Sequence, residues 1–220
     1  MIERALTTIE HLFAYSPFSI VGVMARLKGN VSVDSIKKAV SGLKEKHAVL
    51  GCSIENDDVG KLWFREAKVD ELPIEIIDRK DKNHWLAVLD SQSKIPFEFD
   101  KQAPIRFVLV HSPEESELMV LCHHIICDGI SLASLTKDLL TFLGNRDIEF
   151  EVMPNPKPIS LQNVPSGLSI NGIVKLVINK MNKKWQGKKI VFDQKDYKAL
   201  NETYWKNFRH KTVTIELSEE

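Results

Sequence analysis

The sequence predicts an α/β fold, an α+β two-layer sandwich in which helices pack on a sheet, and three observations support it. Apolar runs at residues 105–110 and 117–123 flank the polar stretch Ser112-Pro113-Glu114-Glu115-Ser116, as the arms of an antiparallel hairpin would. Apolar residues recur at helical spacing over 33–50, 85–95 and about 131–143. Strand-like segments stand between these helical patterns, so one core can be built from both.

The elements follow in order. Residues 18–27, FSIVGVMARL, read as a strand. Lys28-Gly29-Asn30 turns the chain, and Ser32 caps a helix whose Val33, Ile36, Val40, Leu43, His47 and Leu50 share one face. Short strands are predicted over 52–55 and 62–67, separated by the turn residues Asn56-Asp57-Asp58 and Gly60. After residues 74–77 comes a second helical pattern, Trp85, Leu86, Val88 and Leu89 onward to Ile95, which Pro96 ends. The hairpin and the third helix complete a subdomain over 1–145. Residues 146–169 carry Pro154, Pro156, Pro158 and Pro165 and read as a linker. Residues 170–220 read as crossover segments: an amphipathic helix over 170–185, a shorter helix over 196–205 and a strand over 212–217. The final Leu217-Ser218-Glu219-Glu220 has the chemistry of a helix start, which leads us to expect that more chain follows.

Charge and composition exclude several classes. Thirty basic and thirty acidic residues cancel over 220 residues, with none of the basic excess of a nucleic-acid binder. No apolar run is long enough for a membrane helix, and Met1-Ile2-Glu3-Arg4 does not open a signal peptide, so a cytoplasmic location is expected. The three cysteines, Cys52, Cys122 and Cys127, read as free thiols. Residues 170–189 combine an apolar stripe with Lys175, Lys180, Lys183, Lys184, Lys188 and Lys189 and no acid. Such a helix can make a peripheral membrane contact; the plainer reading packs it on its own domain or on a further half.

The chemistry concentrates in LCHHIICDGISL, residues 121–132. Strand alternation puts Leu118, Val120, Cys122 and His124 on one face and Met119, Leu121 and His123 on the other. The two histidines therefore cannot enter the same site. Asp128 needs a partner in an apolar neighbourhood, and Arg106, the lone charge in its strand, is the candidate for a buried ion pair with it. Four readings of the cluster stand: satisfied core histidines; a metal site drawing on Cys122, His123, His124, Cys127 and Asp128; a serine hydrolase using Ser131 or Ser134; and general-base catalysis by one histidine. Divergent neighbouring side chains and the lack of a C-x-x-C knuckle weigh against metal, and no G-x-S-x-G elbow precedes the serines. Imidazole as a base suits proton removal from an attacking hydroxyl or amine.

His123-His124-Ile125-Ile126-Cys127-Asp128-Gly129 resembles the HHxxxDG signature of the condensation-domain superfamily, which includes chloramphenicol acetyltransferases, alcohol acetyltransferases and polyketide-associated acyltransferases. Leu27-Lys28-Gly29, His47-Ala48-Val49-Leu50 and Pro96-Phe97-Glu98-Phe99-Asp100 followed by Pro104-Ile105-Arg106 extend the resemblance in consistent order from about Arg4 to Leu143. It implies a chloramphenicol-acetyltransferase-like mixed sheet and an acyltransferase with His124 as general base. His123 would support the fold, Asp128 would pair with Arg106, and Gly129 would leave room for substrate and offer its N–H to the oxyanion. The donor would be an acyl thioester on coenzyme A or a carrier protein, with no permanently bound cofactor, and the acceptor a small-molecule alcohol or amine. Gly51 departs from the family's arginine after H-x-x-L. The resemblance covers the first of two similar halves, so a C-terminal half or an oligomer partner would complete the catalyst. A non-catalytic module docking a carrier protein or a membrane is the alternative.

Overall fold

The predicted hairpin forms the middle of the larger of two sheets. The structure, a computed structural model, describes residues 3–68, 70–145, 148–153, 172–186, 191–209 and 212. Strands β1 (Arg4–Ala5), β2 (Ile20–Lys28), β3 (Cys52–Asn56), β4 (Leu62–Glu66), β5 (Ile74–Asp78), β6 (Ile105–His111) and β7 (Glu115–His123) are joined by helices α1 (Thr8–Phe13), α2 (Val33–Lys46), α3 (His84–Ser93), α4 (Gly129–Gly144), α5 (Gly172–Gln186) and α6 (Gln194–Asn207). The larger sheet has the order β2-β7-β6-β5, antiparallel except for the parallel pair β5–β6. It is the mixed sheet expected from the sequence. The strands predicted at 52–55 and 62–67 pair with each other and with β1 in a separate antiparallel sheet, β1-β4-β3.

Alternation along β7 divides the core. Leu118, Val120 and Cys122 face α2 and α4, where Ile36, Val40, Leu43, Leu132, Leu135 and Leu139 are buried with them. Met119 faces the other way, with Val108, Val110 and Val88 of α3. Ser32 caps α2 by accepting from the Ser35 N–H at 3.1 Å, as its sequence predicts. Gly29, with φ of +91°, makes the turn before it, a conformation costly for other residues. Asp138 of α4 locks the two helices together by accepting from Lys46 Nζ and pairing with His47 Nε2, both at 2.7 Å.

Helix α1 escaped the reading of the sequence, although Thr7-Thr8-Ile9-Glu10 is a capping box: Thr7 Oγ1 accepts from the Glu10 N–H and the Glu10 carboxylate accepts from the Thr7 N–H. Helix α6 is longer than predicted because Asp193 supplies a second capping box with Asp196. Gln194 then ties it to the main body, donating to Phe97 O at 2.7 Å and accepting from the Phe99 N–H at 3.1 Å. Helix α5 does not take the first form of the plainer expectation, packing on its own domain. Its Leu176, Val177 and Met181 are 71%, 54% and 56% exposed, so this face does not pack on the described domain. Most of the Pro-rich linker and the strand predicted over 212–217 (save Thr212) lie outside the described residues.

One buried acid holds the far end of the sheet. Glu117, fully buried in β7, accepts from Arg79 Nε at 3.0 Å and lies 3.3 Å from Arg26 Nε of β2, while Arg79 also reaches Glu115. Removing the acid takes away its charge-assisted hydrogen bonds, while the arginines left behind reach solvent and Arg79 keeps Glu115. Glu117→Ala is therefore expected to destabilise the chain by about 1–3 kcal/mol, read as a lower denaturant midpoint with little change in slope.

Candidate active site

The two adjacent histidines end β7 with opposite fates. His123 is fully buried. Its Nε2 donates to Ser16 O at 2.9 Å, and its Nδ1 accepts from the Ile125 N–H at 3.3 Å. These partners fix a neutral tautomer, with Phe99 edge-on at 5.0 Å and Phe97 and Tyr197 completing an aromatic surround. Burial pushes its pKa down to about 4, against a smaller opposing pull from Ser16 O. A satisfied, enclosed neutral ring is a structural part.

His124 is half-buried, and its ring stacks face to face on Phe13 of α1, 4.2 Å between centroids and 4° between planes. Its main-chain N–H donates to Ser19 O at 2.7 Å. The end of α1 and the turn after it thus serve both histidines, Ser16 bonded to one and Phe13 stacked on the other. Tyr15, between them, adopts φ of 58°, a left-handed conformation uncommon for a residue with a bulky side chain. Nothing in the sequence pattern flagged Phe13 or Ser16. The capping box at Thr7 was the signal that could have found their helix.

Beyond His124 the turn runs into α4. Asp128 is its N-cap, accepting from the Ser131 N–H at 2.8 Å, and that hydrogen bond holds the carboxyl below its usual range. Gly129 opens the helix, and a side-chain carbon added there would meet nothing within 4 Å. The first N–H groups of α4 have no partner within the helix, as at any helix start.

Two expectations are corrected here. Arg106 and Asp128 do not form an ion pair. Arg106 pairs in register with Leu121 and so shares its face, the one that β7 turns away from α2 and α4. Asp128 caps α4 and is exposed, on the other side. Strand parity separates them, and a helix cap satisfies the carboxylate that seemed to need a cation. Arg106 instead donates from Nη2 to Ile95 O at 2.6 Å and lies over the Phe97 ring, 4.2 Å from its centroid. The second correction concerns sulfur: Cys122 and Cys127, expected as free thiols, are joined in a disulfide across the turn, and Cys52 alone is free. Among the described residues, no group of three His, Cys, Asp or Glu is placed to hold a metal.

The family model for the condensation domain matches residues 3–147, which hold both sheets, the histidine turn and α4. The chain belongs to the condensation-domain family. The match ends just beyond α4, so α5 and α6 lie outside it. Among curated proteins, the chain is 27% identical over 165 residues to the nonribosomal peptide synthetase agiA of Aspergillus flavus, covering 70% of this chain and 2% of that one. It is 32% identical over 137 residues to the nonribosomal peptide synthetase penN of Penicillium thymicola, covering 61% of this chain and 5% of that one. Among solved structures, SgcC5 of Streptomyces globisporus aligns with a TM-score of 0.57 at 16% identity over 86% of this chain and 47% of its own. The first condensation domain of the calcium-dependent antibiotic synthetase gives 0.56 at 15% identity, over 63% and 36%. The chain thus spans less than half of each of these relatives.

In this condensation-domain chain the His123 pKa makes stability depend on pH. The folded state holds the ring neutral with a pKa of about 4, against 6.5 for the free side chain. The stabilising contribution is complete above about pH 6.5 and is lost as pH falls toward 4, because only the unfolded chain takes up the proton. Stability is expected to fall progressively between pH 7 and pH 5, by about 2 kcal/mol from this group. Denaturant titrations across that range should show the fall, and a His123→Phe variant should show a flatter dependence.

Proposed function

We propose that this chain supplies the histidine half of an acyl-transfer catalyst, with His124 as general base. The observation that carries the reading is the division of labour at the end of β7: His123 is enclosed and satisfied, whereas His124 is half-open beside Gly129 and the start of α4. Family membership and the synthetases among its relatives support the same chemistry. The donor is an acyl thioester, on a carrier protein in the reading those relatives favour, with coenzyme A as the alternative carrier, and the acceptor is an amine or alcohol.

The step balances simply. The acceptor's nitrogen or oxygen attacks the thioester carbonyl carbon while the His124 imidazole takes its proton. The carbonyl oxygen gains charge, and in this reading the N–H of Gly129 at the start of α4 stabilises it. The tetrahedral species then collapses, the carbon–sulfur bond breaks, and the thiolate leaves with the proton returned by His124. Phe13 restricts the imidazole to one plane. The opposing wall of the site comes from a further half of the protein or from a partner.

His124→Ala in the completed catalyst should lower kcat by about 10²–10⁴-fold, followed as acceptor-dependent thiol release, with the folded spectrum unchanged. Turnover close to that of the parent would overturn the assignment.

A second reading, a non-catalytic module on a membrane surface, draws on the exposure of α5. That helix sets Val174, Val177, Ile178 and Met181 against Lys175, Lys180 and Lys183 without any acid. It predicts co-sedimentation with phosphatidylserine vesicles, weakened by salt and by Lys180→Glu with Lys183→Glu. Equal recovery with and without vesicles would dismiss it.

A further inference from the structure

Arg106 poses a physical problem that acyl transfer does not solve. It is only 9% exposed, yet no carboxylate among the described residues pairs with it. Of the five N–H donors of a guanidinium, one is engaged among the described residues, by Ile95 O. The electrostatic neighbours Tyr197 and Glu75 act on it without forming an ion pair, and burial pushes its pKa down to about 10. A buried charge in this condition is costly unless something neutralises it. The Phe97 ring offsets part of that cost.

The guanidinium lines a cavity of about 470 Å³ between β5, β6, α3 and α6, within the range of small-molecule sites. Ile95, Pro96 and Phe97 give it apolar walls, and His124 is not part of its lining. Lys198 of α6 adds a second cation. The two acids on the wall are partly engaged: Glu98 accepts from Lys101 at 3.0 Å and from Lys198 at 3.4 Å, and Glu75 accepts from Gln92 at 2.6 Å.

We propose that this cavity binds a small monocarboxylate with an apolar body, its carboxylate on the Arg106 guanidinium and its hydrocarbon part along Ile95, Pro96 and Phe97. Arginine suits the task because its planar fork matches a carboxylate through two parallel hydrogen bonds. The carboxylates of Glu75 and Glu98 set the charge limit. One negative charge is drawn to Arg106, whereas a dianion meets their repulsion as well, so the site discriminates against dicarboxylates and inorganic phosphate. The site is separate from the histidine turn and stands or falls independently of His124.

The test uses the whole 220-residue chain with sodium hexanoate as probe, hexanamide as its neutral counterpart and succinate as the dianion. Calorimetry or amide chemical shifts should show hexanoate binding in the millimolar range or tighter. Hexanamide and succinate should bind at least about tenfold more weakly. Arg106→Gln should erase the preference for hexanoate over hexanamide. Because that variant can also disturb folding, Lys198→Glu on the exposed surface of α6 provides a second variant, expected to weaken hexanoate severalfold while the fold is kept. Equal binding of hexanoate and hexanamide to the unaltered chain, or no binding of either, would overturn the proposal, as would hexanoate affinity unchanged in a folded Lys198→Glu variant.

Discussion

The arrangement around the site depends on one buried imidazole. His123 sits at the end of the central strand and spends both ring nitrogens inside the protein, one on Ser16 O and the other on the Ile125 N–H. The first hydrogen bond brings the segment after α1 against the end of β7. The second bends the chain back directly after the strand. With those two contacts made, Phe13 meets the ring of His124, Ser19 O receives the His124 N–H, and Asp128 arrives where it can cap α4. The desolvation that keeps His123 neutral also removes it from proton chemistry, leaving that role to its neighbour.

The two faces of β7 give the molecule its division of tasks. One face carries the apolar layer shared with α2 and α4, which orients the start of α4 beside the histidine turn. The other lies on the side of Arg106 of β6 and of the aromatic group of Phe97, Phe99 and Tyr197 that encloses His123, where Arg106 and Phe97 border a cavity. Charge is handled differently at the two ends of the strand. Glu117 is neutralised by two arginines, whereas Arg106 has no counter-ion among the described residues and lines a cavity. That contrast makes the Arg106 cavity more than an incidental gap between elements.

Several local devices were legible because each depends on few residues. Ser32 caps α2 where the sequence placed a cap, and the hairpin turn forms between the two apolar runs that flank it. The capping box at Thr7 was equally legible, but it belongs to a helix of six residues, too short to show an apolar period. Side-chain partners across the fold were harder. The Arg106–Asp128 pairing was inferred from chemical need alone. Strand parity, with Arg106 opposite Leu121, rules it out, and the cross-strand register had to be known before parity could be applied.

By itself the sequence determined the strands and helices of the main body beyond α1 and β1, the helical faces that are buried, and the turn in which two histidines, an aspartate and a glycine stand together. These follow from periodicity and local backbone chemistry, which act over a few residues. Only the tertiary structure decided which histidine is enclosed, that Phe13 lies on the other, that β1, β3 and β4 form a sheet of their own, and that Asp128 is a helix cap while Arg106 faces a cavity. Those outcomes depend on which distant segments come into contact, and burial and hydrogen bonding across such contacts are fixed only once the sheets have formed their register.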